Sequence, residues 1–156
     1  LQTAGVLLLL DVEDLHFSSL SDLGLTTVST TIVQTLTRIA IMLENFFRQL
    51  TTDPDSISFS QSIELIESLY NFSETAFRNG DKHNAAGENN GSCKIFAFAL
   101  LHRLSEPQAL QMFGDYYRKD VLSSPAGSDH ANIRQFMQYG WDGIEFAGQA
   151  LSPKSA

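Results

Sequence analysis

From Thr30 onward the apolar residues fall on a helical period. Ile32, Leu36, Ile39, Leu43, Phe46 and Leu50 step by 4, 3, 4, 3 and 4, which predicts one amphipathic helix over about 30–51. Thr52-Asp53-Pro54 ends it, because the residue before a proline is pushed out of helical angles. Ser58 or Ser60 can cap a second helix that buries Ile63, Leu65, Ile66 and Leu69. Tyr70-Asn71-Phe72-Ser73 alternates aromatic and polar positions and reads as a short strand. Residues 78–92 are polar, with glycines at 80, 87 and 91, and read as one long loop. Cys93 to Leu104 follows as a helix with almost no polar face, the expected central element.

Ser105-Glu106-Pro107-Gln108 holds the capping-box spacing and opens a further helix. Its stripe of Leu110, Phe113, Tyr117 and Val121 is expected to run unbroken to Ser124-Pro125. Ser128 or Asp129 starts a last helix with Ile133, Phe136 and Met137 on its apolar face, and Gly140 ends it. Ile144-Glu145-Phe146 alternates and is expected to pair with the strand near Phe72. The fold class is therefore mainly α: a small single-domain helical fold with at most a two-stranded β-ribbon.

The stretch before Thr30 changes this picture little. Val6-Leu7-Leu8-Leu9-Leu10 invites a signal-peptide reading, but no basic residue precedes it and Asp11-Val12-Glu13-Asp14 follows at once. The run is also far short of the roughly 20 residues that cross a bilayer. Residues 15–31 are rich in Ser, Thr and Leu without a period, and His16 among them has no evident partner. The whole chain of 156 residues carries 10 basic and 18 acidic side chains, a net charge of −8, which disfavours nucleic acid and anionic membrane as partners. A lone cysteine excludes a disulfide framework or a cysteine-based zinc site, and a cytoplasmic location is expected.

Candidate chemistry gathers in two places, residues 79–94 and Gly127-Ser128-Asp129-His130-Ala131-Asn132. Cys93 is expected at a helix N-terminus, where unpaired amides and the helix dipole favour a thiolate. With His130 as base and Asn132, Asp129 or Asn90 as orienter, it would suit acyl transfer or hydrolysis. The plainer reading makes Cys93 a small core residue and His130 part of a helix cap. Asp81, His83, Glu88, Cys93, Asp129 and His130 are all metal-ligand types, and His83 with His130 is the pair considered. No HxxxH or CxxC spacing fixes two of them on one face, so neither a metal nor a cofactor is expected.

Gly87-Glu88-Asn89-Asn90-Gly91-Ser92-Cys93-Lys94 fails as a phosphate loop, because only three residues separate its glycines and no Lys-Ser or Lys-Thr follows Gly91. Exposed amides at a helix start could still hold a carboxylate or phosphate, although turn formation explains the glycines and asparagines equally well. Candidate binding residues are thus Asn79, Asp81, His83, Glu88, Asn90, Ser92, Lys94, Asp129 and Trp141. Trp141 reads chiefly as an anchor of the C-terminal turn. His102 reads as a structural histidine, and Arg103, Arg118, Lys119 and Arg134 read as solvated helix faces.

Six stretches also carry a family resemblance. They are Met42-Leu43-Glu44-Asn45-Phe46, Ala76-Phe77-Arg78-Asn79-Gly80, Asn89 to Ala99, Phe113-Gly114-Asp115-Tyr116-Tyr117-Arg118, Asp129-His130-Ala131-Asn132-Ile133-Arg134 and Gly140-Trp141-Asp142-Gly143-Ile144. In this order they closely resemble the HopJ family, small bacterial proteins named as type III secretion effectors, over about Met42 to Leu151. The resemblance implies a small bacterial domain over 42–152, with residues 1–41 an extension upstream of a natural start at Met42 and residues 153–156 a tail. It supplies no mechanism. The expected function is a binding or interaction module for an unknown protein or small-molecule partner, with the Cys93–His130 enzyme and a metal-binding protein as alternatives. The effector label adds secretion into a host cell as a second destination.

Overall fold

The computed structural model describes residues 30–155; the apolar run at 6–10, the aperiodic stretch before Thr30 and His16 lie outside them. Helices dominate, with two small antiparallel sheets, in agreement with the expected class. Helix α1 spans Thr30–Thr52 and passes the expected boundary at Met42 without a break. Burial changes there: Ile32, Leu36 and Ile41 are exposed, whereas Leu43, Phe46 and Leu50 of the same helix sit in the core. Helix α2, Phe59–Leu69, is capped by Ser58, whose side chain accepts from the Gln61 amide at 3.1 Å.

Strand β1, Tyr70–Phe72, pairs antiparallel with β5, Leu151–Pro153. The segment expected to be a tail therefore enters a sheet at Pro153, and the Lys154 amide donates to the Leu69 carbonyl. The second sheet corrects two expectations. Residues 78–92 are not one loop, because β2, Phe77–Asn79, and β3, Lys82–Asn84, form a hairpin across Gly80-Asp81. Gly80 takes φ +57 in this two-residue turn, a conformation that suits glycine. The strand β4, Ile144–Phe146, pairs with β2 rather than with the segment at Phe72. Phe146 lies opposite Phe77 with their rings stacked at 5.5 Å, so aromatic pairing sets the register.

Helix α3, Asn90–Leu101, is the central element and buries Cys93, Ile95, Phe96, Phe98 and Ala99. It starts three residues earlier than expected. Its C-terminus closes with the amide of Leu104 on the Ala99 carbonyl and that of Arg103 on Leu100, Arg103 taking φ +53 where glycine is usual. Helix α4, Glu106–Gln111, opens with the complete Ser105–Gln108 capping box.

The expected continuation of α4 fails at Gly114, which has φ +60. A Cβ there would lie 2.6 Å from the backbone nitrogen of Phe59, so the crossing chain leaves room only for glycine. The chain resumes as a π-helical segment over Tyr116–Val121. Helix α5, Ala131–Tyr139, then leads through the 3₁₀ turn Gly140–Gly143 into β4. Among the described residues no helix is long and apolar enough to cross a membrane.

His102, at the end of α3, lies against Phe47 and Phe98 with its Nε2 2.8 Å from the Tyr70 hydroxyl. Burial lowers the pKa of this histidine to about 4 and pushes that of Tyr70 up to about 12. Between pH 6.5 and 4 the unfolded chain binds a proton at this position and the folded chain does not. Stability from His102 is thus complete above pH 6.5 and declines as the pH falls toward 4. Urea unfolding at pH 7 and pH 5 is expected to show a loss at pH 5 of at most about 2 kcal/mol, reduced by solvent screening and smaller in His102→Gln.

Candidate functional site

Two helix starts open onto one cleft of about 450 Å³. Its lining includes Phe59, Lys82, Asn89, Gly91, Ser92, Tyr116, Ser128, His130, Ala131 and Asn132. Asn89 precedes α3 and His130 precedes α5; each adopts the left-handed conformation, with φ 51 and φ 49. Neither side chain accepts a hydrogen bond from its helix, so the first-turn amides lack the usual cap. Of the two expected caps of α5, Ser128 lines the cleft and Asp129 is occupied elsewhere. Asp129 Oδ1 accepts from Arg134 Nη2 at 2.6 Å, and this bond, with the guanidinium charge, holds the Asp129 carboxyl below the usual range.

A buried ladder of asparagines holds the two starts in place. Asn89 Nδ2 donates to Asn84 Oδ1 at 2.8 Å, and Asn132 Nδ2 donates to the same oxygen at 2.9 Å. Asn84 Nδ2 donates in turn to Asn132 Oδ1 at 3.1 Å, and Asn79 Nδ2 to the Asn132 carbonyl at 2.7 Å. The β2–β3 hairpin is thereby fastened to α3 through Asn89 and to α5 through Asn132. Asn79, Asn84 and Asn132 are all buried, and such polar networks fix geometry because every broken bond strands a desolvated group.

The opposite wall is aromatic. Phe59 meets Tyr116 edge-on at 5.1 Å, and Tyr116 stacks on the His130 ring at 5.0 Å. His130 Nε2 lies 3.1 Å from Asp120 Oδ2 and 3.9 Å from Asp129 Oδ2, so the π-helical segment supplies Tyr116 and Asp120 to this imidazole and the loop before α5 supplies Asp129. Lys82 reaches the cleft from β3 and makes no ion pair among the described residues.

Of the candidates from the sequence, Ser92, His130 and Asn132 are brought together in this cleft, and Asn79 stands behind it in the ladder. The others go elsewhere. Lys94 pairs with Glu67 at 2.7 Å and lies over the Phe72 ring. Asp81 accepts from the Tyr139 hydroxyl, which raises the pKa of that phenol. Glu88 accepts from the Ala85 amide within its own loop, and Asn90 donates to Glu74. Trp141 donates to the Leu104 carbonyl and packs edge-on against Phe136, as an anchor would. His83 lies on β3 opposite Arg78, while His130 is held by Asp120, so the proposed metal pair is not assembled. Among the described residues no three His, Cys, Asp or Glu side chains gather as a metal site.

The thiol–imidazole pair is not assembled either. Cys93 is fully buried and its Sγ lies 3.6 Å from the Thr75 carbonyl, not from a histidine. Because α3 begins at Asn90, the Cys93 amide already donates to the Asn89 carbonyl and is no free helix-end donor. Burial pushes the thiol pKa up to about 11, above the range of a reactive cysteine. Labelling with a thiol reagent at pH 7 is therefore expected to be negligible in the native chain and complete in denaturant; rapid native labelling would restore Cys93 as a reactive group.

The sequence signal for Lys82 and Asn89 was present but weak: a basic residue in a polar stretch, and an asparagine where left-handed angles are tolerated. Ser128 lay in the candidate stretch 127–132, whereas Phe59 and Tyr116 carry no local signal, since their convergence depends on the tertiary fold. Residues 43–151 match the family described as HopJ type III effector protein, most of the chain. The chain belongs to the HopJ family. It is also similar to the crystal structure of VPA0580, described as a protein of unknown function, with 48% identity and a TM-score of 0.70. That likeness covers 72% of this chain and 93% of the other. No curated protein matches. The cleft, its asparagine ladder and its aromatic wall all lie within the HopJ segment, whereas the exposed first part of α1 lies before it.

Proposed function

We propose that this HopJ protein is a small ligand-binding module whose binding surface is the cleft between the starts of α3 and α5. The observation that carries the reading is the pair of helix starts, both left without a side-chain cap and both fastened from behind by buried asparagines. A helix with uncapped first-turn amides leaves donors for an outside acceptor. The rigid backing supports binding without rearrangement, which reduces the ordering cost of association. Catalysis through Cys93 has no such support, because its thiol is buried on a carbonyl.

Titration of a chemically mixed fragment set against the ¹⁵N-labelled chain tests this reading. Amide shifts are expected to cluster at Gly91, Ser92, Ala131 and Asn132. Hits that map instead to the exposed face of α1 at Ile32, Leu36 and Ile41, or a set with no hit at the cleft, would overturn it.

A further inference from the structure

The lining of the cleft is electrostatically one-sided. The chain as a whole has 18 acidic residues against 10 basic, yet no aspartate or glutamate lines this cavity. Lys82 does line it, and among the described residues that ammonium has no carboxylate within ion-pair distance. Ser92 and Ser128 add two hydroxyl donors, and the amides beginning α3 and α5 add the positive ends of two helices. A lysine, two hydroxyls and two helix starts line the cavity as donors, while the carboxylates of Asp120 and Asp129 do not line it and face His130 Nε2 at 3.1 and 3.9 Å. Tyr116, stacked on His130 and met edge-on by Phe59, supplies an aromatic wall against which a planar group can lie.

Resting on the binding reading above, we infer that the cleft takes a small organic anion: a carboxylate or phosphate group held between Lys82 and the helix starts, joined to a planar ring lying against Tyr116. The cavity of about 450 Å³ exceeds what a bare phosphate fills and suits a ring-bearing small molecule.

The experiment uses benzoate, phenyl phosphate, benzyl alcohol and benzylamine as probes, titrated into the ¹⁵N-labelled full chain. Benzoate and phenyl phosphate are expected to shift the amides of Gly91, Ser92, Ala131 and Asn132 saturably, and the tighter of the two identifies the anionic group. Lys82→Gln is expected to weaken both by about fivefold, as does added salt, while leaving the rest of the spectrum in place. Ser128→Asp, which adds a carboxylate to the rim, is expected to weaken the anions and leave benzyl alcohol unaffected. Equal binding of benzyl alcohol or benzylamine, or anion binding indifferent to Lys82→Gln and Ser128→Asp, would overturn the anion class and leave the binding module standing. Failure of all four probes to shift the cleft amides of the folded chain would overturn the anion inference, and the fragment titration then decides the binding reading separately.

Discussion

Phe96→Ala is expected to cost about 3–5 kcal/mol, against the roughly 5–15 kcal/mol by which a domain is usually stable. Phe96 is fully buried in α3, and its ring meets those of Phe136 at 4.8 Å, Phe113 at 5.3 Å, Phe77 at 6.3 Å and Trp141 at 6.4 Å. These partners come from α5, the turn after α4, strand β2 and the 3₁₀ turn before β4, so one side chain joins four separate segments. Truncation removes the transfer free energy of the ring and leaves a cavity that cannot collapse from four sides at once. Urea unfolding should show a lower midpoint with an unchanged slope. A loss below about 1 kcal/mol would mean that the surrounding aromatics repack into the space.

Asn84→Ala is expected to cost about 2–3 kcal/mol through a different mechanism. Asn84 Oδ1 accepts from both Asn89 and Asn132, and its Nδ2 donates to Asn132 Oδ1. Alanine strands the buried Asn132 donor, which retains its desolvation cost without a partner, while the exposed Asn89 amide turns to water. The effect should also be local. Amide resonances at Asn89, Gly91 and Ala131 are expected to shift or broaden in the folded variant, whereas those around Phe46 and Leu50 stay in place. A variant with native stability and an unchanged spectrum would show that the ladder does not hold the cleft.

Much of the helical framework was legible in local patterns. The 4–3 spacing over Ile32 to Leu50 predicts α1, and the Ser105–Gln108 capping box opens α4 where the sequence places it. What escaped was decided by tertiary contact. The β2–β3 hairpin is built from Phe-Arg-Asn and Lys-His-Asn, which contain no β-branched residue and only one apolar side chain. Asparagines hidden beneath it hold the hairpin, and no periodicity reveals a buried amide. Gly114 breaks a well-formed apolar stripe because the chain at Ser58-Phe59 passes against it, a neighbour more than 50 residues away in sequence.

The candidate site shows the same division. Residue types at 79–94 and 127–132 marked the right neighbourhood, and Ser92, His130 and Asn132 do meet there. The roles differed, because an asparagine expected to orient a histidine is a buried strut, and the cysteine expected at a helix end lies within the first turn. Side-chain chemistry is visible in a sequence; which atoms are already spent on one another becomes visible only after folding.

The asparagine ladder also governs how the cleft behaves in time. Its four members come from a hairpin, a loop end and a distant helix, so no single element can open without breaking bonds held by the other two. Local fluctuation at such a place is suppressed, and the segments lose protection together as one cooperative unit. The amides that close the first turns of α3 and α5, Cys93 on the Asn89 carbonyl and Arg134 on that of His130, would then exchange at one shared rate. The binding surface is in that sense all-or-none: while the hairpin is seated both helix starts face the cleft in fixed register, and when it lifts both are lost.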